Sequence, residues 1–192
     1  MLLTDPVLYT AASFDPVTLD ELKAHLRVTS NMEDADLDIK RKAAIDYVER
    51  ITGVAMAQST WEAYFDDFPG LLPKGYVSSI TSVKYTDSGG TQYTVTSSWY
   101  ELDNVARPCR INLAYGQAWP TGPFKVTNPI VVRFVAGWAS GSVPDALKSA
   151  VLLVASDLYA NREAQTMGTS GTFIAPNTTV QNLIAPYRQW RY

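Results

Sequence analysis

A chain of 192 residues with 46% hydrophobic and 11% aromatic content can bury about 70% of its unfolded surface, as one domain or as a domain carrying an insertion. The single cysteine, Cys109, excludes an internal disulfide. No apolar run approaches the ~20 residues of a membrane span, and the first residues lack a basic-then-apolar export pattern, so a soluble cytoplasmic protein is expected. The net charge of -3 contains no cation cluster, and nothing reads as a surface that grips nucleic acid.

Residues 1–15 hold scattered apolar side chains and Pro6 without a period, and read as an extended arm. Residues 16–53 read as a helical hairpin. Thr18 and Glu21 stand at capping-box spacing, with Val17 and Leu22 placed for a hydrophobic staple, so a helix starts at Leu19. Leu19, Leu22, His25 and Leu26 give it one face, and Thr29, Ser30 and Asn31 make the turn. Ser30 and Glu33 repeat the cap spacing. Asp34, Asp36 and Asp38 then crowd the first turns of a second helix, with Lys40, Arg41, Lys42 and Arg50 further along, an order that suits the helix dipole. Leu37, Ala44, Ile45, Val48 and Ile51 mark its buried face, and Gly53 stands where a left-handed cap glycine belongs.

Residues 54–143 change to strand patterns. Thr60 to Phe65 alternates, and Val77 to Tyr85 and Thr91 to Val95 flank Asp87-Ser88-Gly89-Gly90, a hairpin signal. Short strands at Trp99 to Leu102, Arg110 to Leu113 and Ile130 to Val135 complete a small antiparallel sandwich or partial barrel. Helix returns over residues 144–163, with Pro144 as its first helical residue. Leu147, Val151, Val154 and Leu158 form its apolar face, widened by Ala150, Leu153 and Ala155, the pattern of a helix facing the core or a second subunit. Residues 164–179 are rich in Thr, Gly, Ser and Asn and read as a mobile leash. The end regains Leu183, Ile184, Tyr187, Trp190 and Tyr192 with Arg188 and Arg191, the composition of an interface anchor. The expected fold is therefore α+β: a bundle of three main helices, an inserted antiparallel β domain, and an extended C-terminal tail over residues 164–192.

Little supports catalysis. The one histidine, His25, lies inside the first helix beside Leu26, and Cys109 has no second cysteine for zinc or redox pairing. The Asp34, Asp36 and Asp38 run lacks the glycine of a calcium loop, and Asp66 and Asp67, adjacent on an extended chain, point apart. Gly89-Gly90 has no P-loop lysine. The aromatics Trp61, Tyr64, Phe65, Tyr85, Tyr93, Trp99 and Tyr100 suit core packing better than a sugar platform. No catalytic residue, metal or cofactor is expected.

Several runs together resemble the head-tail connector proteins of tailed phages, in the larger branch with a β insertion. They are Pro16-Val17-Thr18-Leu19-Asp20-Glu21-Leu22-Lys23-Ala24-His25-Leu26-Arg27-Val28, Ala44-Ile45-Asp46-Tyr47-Val48-Glu49 with Thr52-Gly53, and Val135-Ala136-Gly137-Trp138. Val143-Pro144, Leu147-Lys148, Tyr159-Ala160-Asn161-Arg162-Glu163 and Leu183-Ile184-Ala185-Pro186-Tyr187-Arg188 complete the set. A prophage or gene transfer agent adaptor would look the same. The resemblance implies a non-enzymatic virion protein assembled in the bacterial cytoplasm, with about twelve copies in a ring under the portal. Such a ring extends the channel through which double-stranded DNA passes and seats the stopper or tail-completion protein. It implies portal docking by Leu183, Ile184, Pro186, Tyr187 and Arg188, which the composition of Trp190, Arg191 and Tyr192 extends. A chain truncated after Glu163 is then expected to fold and fail to join portal-bearing heads. The alternative reading is a monomeric binding module whose β domain recognises a glycan or host protein.

Overall fold

The computed structural model describes residues 5–161 and 178–189. These residues divide into two compact units: 5–14, 53–139 and 189 form a sheet unit, and 15–52, 140–161 and 178–188 a helical unit.

In the helical unit, α1 (Leu19–Leu26) starts at the expected capping box: the Glu21 amide donates to Thr18 Oγ1 at 3.2 Å and the Thr18 amide to Glu21 Oε2 at 2.7 Å. It ends at Arg27, whose φ of 58° is left-handed without a glycine. α2 (Asp34–Thr52) buries Leu37, Arg41, Ala44, Val48 and Thr52. Arg41 is the unexpected member. At 3% exposure it donates from Nη1 to the Val17 carbonyl at 2.6 Å and pairs with Asp15 at 2.9 Å and Asp38 at 2.5 Å, pinning the chain before α1 onto α2. α3 (Asp145–Ala160) packs on α2, with Leu147, Ala150, Val151 and Ala155 buried. Pro144 is its N-cap and not its first helical residue, because Pro144 keeps an extended ψ of 133°. Residues 178–187, read as tail, form a helix, α4 (Thr178–Ile184), and a single 3-10 turn (Ala185–Tyr187). α4 packs on α3 with Val180 and Ile184 buried.

The sheet unit centres on β7 (Ile130–Ala136), whose side chains alternate strictly between buried and half-buried. The antiparallel sheet runs β1-β2-β7-β3-β4, with β1 (Val7–Thr10), β2 (Ser59–Phe65), β3 (Val77–Thr86) and β4 (Gln92–Thr94). β1 lies within the segment expected to be an unpaired arm; it pairs with β2 as an edge strand whose four residues are all exposed. A hairpin of β5 (Tyr100–Asp103) and β6 (Arg110–Leu113) forms a separate two-stranded sheet, so the strands make neither a closed barrel nor two equal layers. Tyr100, Cys109 and Ile111 of the hairpin join Phe65, Val83, Ile130 and Phe134 of the main sheet in one apolar cluster. Of the aromatic set, Phe65 and Tyr100 lie in it and Trp61, Tyr85 and Trp99 pack against it, joined by the Phe68–Trp119 stack at 4.6 Å. The strands entering and leaving the unit touch: Ala57 bridges Trp138, and the Gln58 amide donates to the Trp138 carbonyl at 2.9 Å. Gly137 permits this contact, since a Cβ there would sit 2.6 Å from the Ala57 carbonyl oxygen.

The capping box makes α1 sensitive to acid. The Thr18 amide, bonded to the Glu21 carboxylate, holds its pKa below the ordinary value. That stabilisation is complete above the unfolded pKa and drains as pH falls through the lower folded one. Thr18→Ala should cost about 1 kcal/mol in denaturant unfolding at neutral pH. Melting scans from about pH 6 to about pH 3 should show a shallower acid loss in Glu21→Gln than in the natural protein.

Candidate functional site

Neither the lone histidine nor the lone cysteine gains the partners of a nucleophile. His25 is exposed on α1, and Cys109 is fully buried. Among the described residues no group of three or more His, Cys, Asp or Glu is placed to hold a metal ion. The most polar constellation lies on the outer face of the sheet. Arg133 Nε and Nη2 donate to Glu62 Oε1 at 2.9 and 2.7 Å, Tyr64 donates its hydroxyl to Glu62 Oε2 at 3.0 Å, and the Arg133 guanidinium lies 3.6 Å from the Tyr9 ring centre. Glu62 holds the Tyr64 phenol protonated and pushes its pKa up. A saturated ion pair between neighbouring strands, joined by a neutral phenol, fastens β1, β2 and β7; it offers neither an available nucleophile nor a second acid.

The α2 carboxylates are not an open acidic face either. Asp34 pairs with Lys23 at 2.7 Å, Asp36 with Lys40, and Asp38 with Lys42 at 2.6 Å as well as with Arg41. What remains is apolar surface. The α3 row divides: Leu147 and Val151 are fully buried in the core, Val154 is half-buried and Leu158 is exposed. Val154 and Leu158 line a groove of about 380 Å³ with Ala43 and Tyr47 of α2 and Val180 of α4, rimmed by Asp157 and Gln181. A second groove adjoins it, sharing Ala43 and Leu158 and continuing along Ile39 to Met32.

The C-terminal anchor residues divide in the same way. Ile184 is buried, Leu183 and Tyr187 are half-buried, and Pro186 and Arg188 are exposed, with Arg188 Nη2 donating to Gln181 Oε1 at 3.0 Å. Trp190, Arg191 and Tyr192 lie outside the described residues. Gln189, which carries no signal in the sequence, has a built seat in the sheet unit. Its side chain lies where a Cβ on Gly75 would collide with Nε2 and one on Gly53 would come within 3.4 Å of its own Cβ. A glycine facing a distant amide leaves no periodic or motif signal, so only the fold could reveal it.

No protein-family profile matches the sequence, and neither does any curated protein. Solved structures do. With a chain from the neck of an empty gene transfer agent (GTA) particle computed with C6 symmetry the protein shares 26% identity at a TM-score of 0.76, over 100% of this chain and 97% of that one. This is the fold of a GTA neck protein. Chains from the virion of a native GTA particle and from the neck of a native GTA particle computed with C12 symmetry match at 24% identity, with TM-scores of 0.77 and 0.75 and the same coverage. The GTA neck fold spans both units, and it agrees with the connector likeness carried by the sequence runs of both.

The Gln189 seat can be tested directly. Gly75→Ala should evict the Gln189 side chain, a flexible end that yields at a cost of about 1 kcal/mol or less. Carboxypeptidase should then trim the C-terminus faster than in the natural protein, and Gln189→Ala should reproduce the effect with unchanged melting of the sheet core.

Proposed function

We propose that this chain is a structural, non-enzymatic subunit of the neck of a phage-like particle, a head-tail connector that assembles in a ring beneath the portal. The observation that carries the proposal is the whole-chain likeness, across both units, to a chain from the neck of a GTA particle. Rings follow from the same source: necks computed with C6 and C12 symmetry hold repeated copies around an axis, and a cyclic ring needs two different faces of one subunit to meet. In this reading the ring extends the DNA channel and seats the stopper or tail-completion protein. Carboxylates already matched by lysines and arginines suit a wall along which double-stranded DNA slides, since they leave few free cations to hold its phosphates.

Portal docking belongs to the C-terminal segment. Of its anchor residues, Pro186 and Arg188 are exposed and Tyr187 is half-buried. Ile184 and Val180 serve α4 packing instead. A truncation at Glu163 therefore removes core as well as anchor, and surface substitutions are the cleaner probe. Arg188→Glu should leave the melting temperature within experimental error and lower incorporation into portal-bearing heads by about tenfold, because many weak contacts made at once multiply. Normal incorporation of Arg188→Glu together with Pro186→Asp, measured in purified particles, would sink the docking role.

A further inference from the structure

We infer that the apolar row of the helical unit receives the β1 edge of a second copy of this chain. The inference rests on the ring reading above and names the two faces that would close the ring. One face is concave. Ile39, Ala43 and Tyr47 fall at four-residue steps along α2, on a face well over a quarter-turn from the stripe that builds the core, and Met32 in the turn before α2 continues their row. With Leu158 they line two adjoining grooves, the second of which also carries Glu33, Asp36 and Lys40, and Met32 and Ile39 are 94% and 67% exposed. A run of this kind on a monomer's surface marks a contact site.

The second face is an edge. β1 is the outer strand of its sheet, and Val7, Leu8 and Tyr9 are 55%, 47% and 54% exposed in succession. Other large exposed apolar residues, such as Val105, Tyr115 and Val126, stand singly in loops. A hydrophobic edge is a liability that proteins cover or blunt; here the register shift between Leu8 and Thr10 blunts it in part, no charged residue lies within β1, and among the described residues no further strand pairs with it. Tyr9 of the edge packs against the Arg133 guanidinium, which ties β1 to the sheet. A subunit with one partly apolar groove and one apolar edge has two unlike surfaces of the kind that head-to-tail closure requires. At the groove rim, the Asp157 carboxylate is available to accept from amides of the open edge.

The test uses particles from cells in which the variant replaces the natural chain. Ala43→Cys or Leu158→Cys is combined on one chain with Val7→Cys or Leu8→Cys, and a short bis-maleimide is added. The four sites other than buried Cys109 are exposed or on the strand edge, so the natural thiol stays silent. The expected result is a ladder of covalent multimers from at least one combination, and no multimers from any single cysteine. A chain that enters particles yet gives no ladder in any combination, or cross-linked dimers from one cysteine alone, would overturn the inference and leave the neck reading standing. A chain that enters no particles, even in its natural form, would overturn the neck reading and this inference with it.

Discussion

Because α1 and α2 precede residues 53–139 in sequence while α3 and α4 follow them, the helical unit can close only when Leu37, Ala44 and Val48 share one core with Leu147, Ala150 and Val151. Every other feature of that unit is local by comparison. α1 is fixed by its own cap and by the Arg41 guanidinium reaching the Val17 carbonyl, and α4 by the face of α3 that α2 leaves uncovered. A contact between segments separated by residues 53–139 is entropically expensive to find and slow to form. It has to be strongly apolar to hold, which accounts for the breadth of the α3 pattern. α3 is not apolar all round for one reason; it serves α2, α4 and a groove at the same time.

The elements whose cause is local were readable from the sequence. Thr18 with Glu21 announced α1 to the residue, and the alternation from Ile130 onward announced the central strand. The elements whose cause is tertiary were not. Arg27 ends α1 in a left-handed conformation that nothing in its side chain favours, and Arg41 looks like any cation in an acid-then-base helix until Val17 and Asp15 come to it. β1 is strand only because β2 offers it an edge. α4 follows a polar stretch and spans only seven residues, too few to show a period, and acquires its helix from burial of Val180 and Ile184.

For the functional surfaces the same division holds. One histidine and one cysteine bound, from the sequence, which chemistry could be built. The apolar row of α3 was readable as a row, but its division into core and groove was not, because periodicity reports which residues share a face and not how far a neighbouring helix covers it. Charge was misleading in a useful way. The run of aspartates in α2 reads as an acidic surface, whereas each is held by a lysine or arginine one helical turn or one element away. Composition counts charges, and geometry decides which of them a passing polyanion would feel.

The contact between Ala57 and Trp138, made possible by Gly137, means that the long segment over residues 53–139 begins and ends at the same doorway. A polypeptide cassette with neighbouring points of entry and exit can be lengthened, shortened or replaced during descent while its host bundle keeps its own geometry.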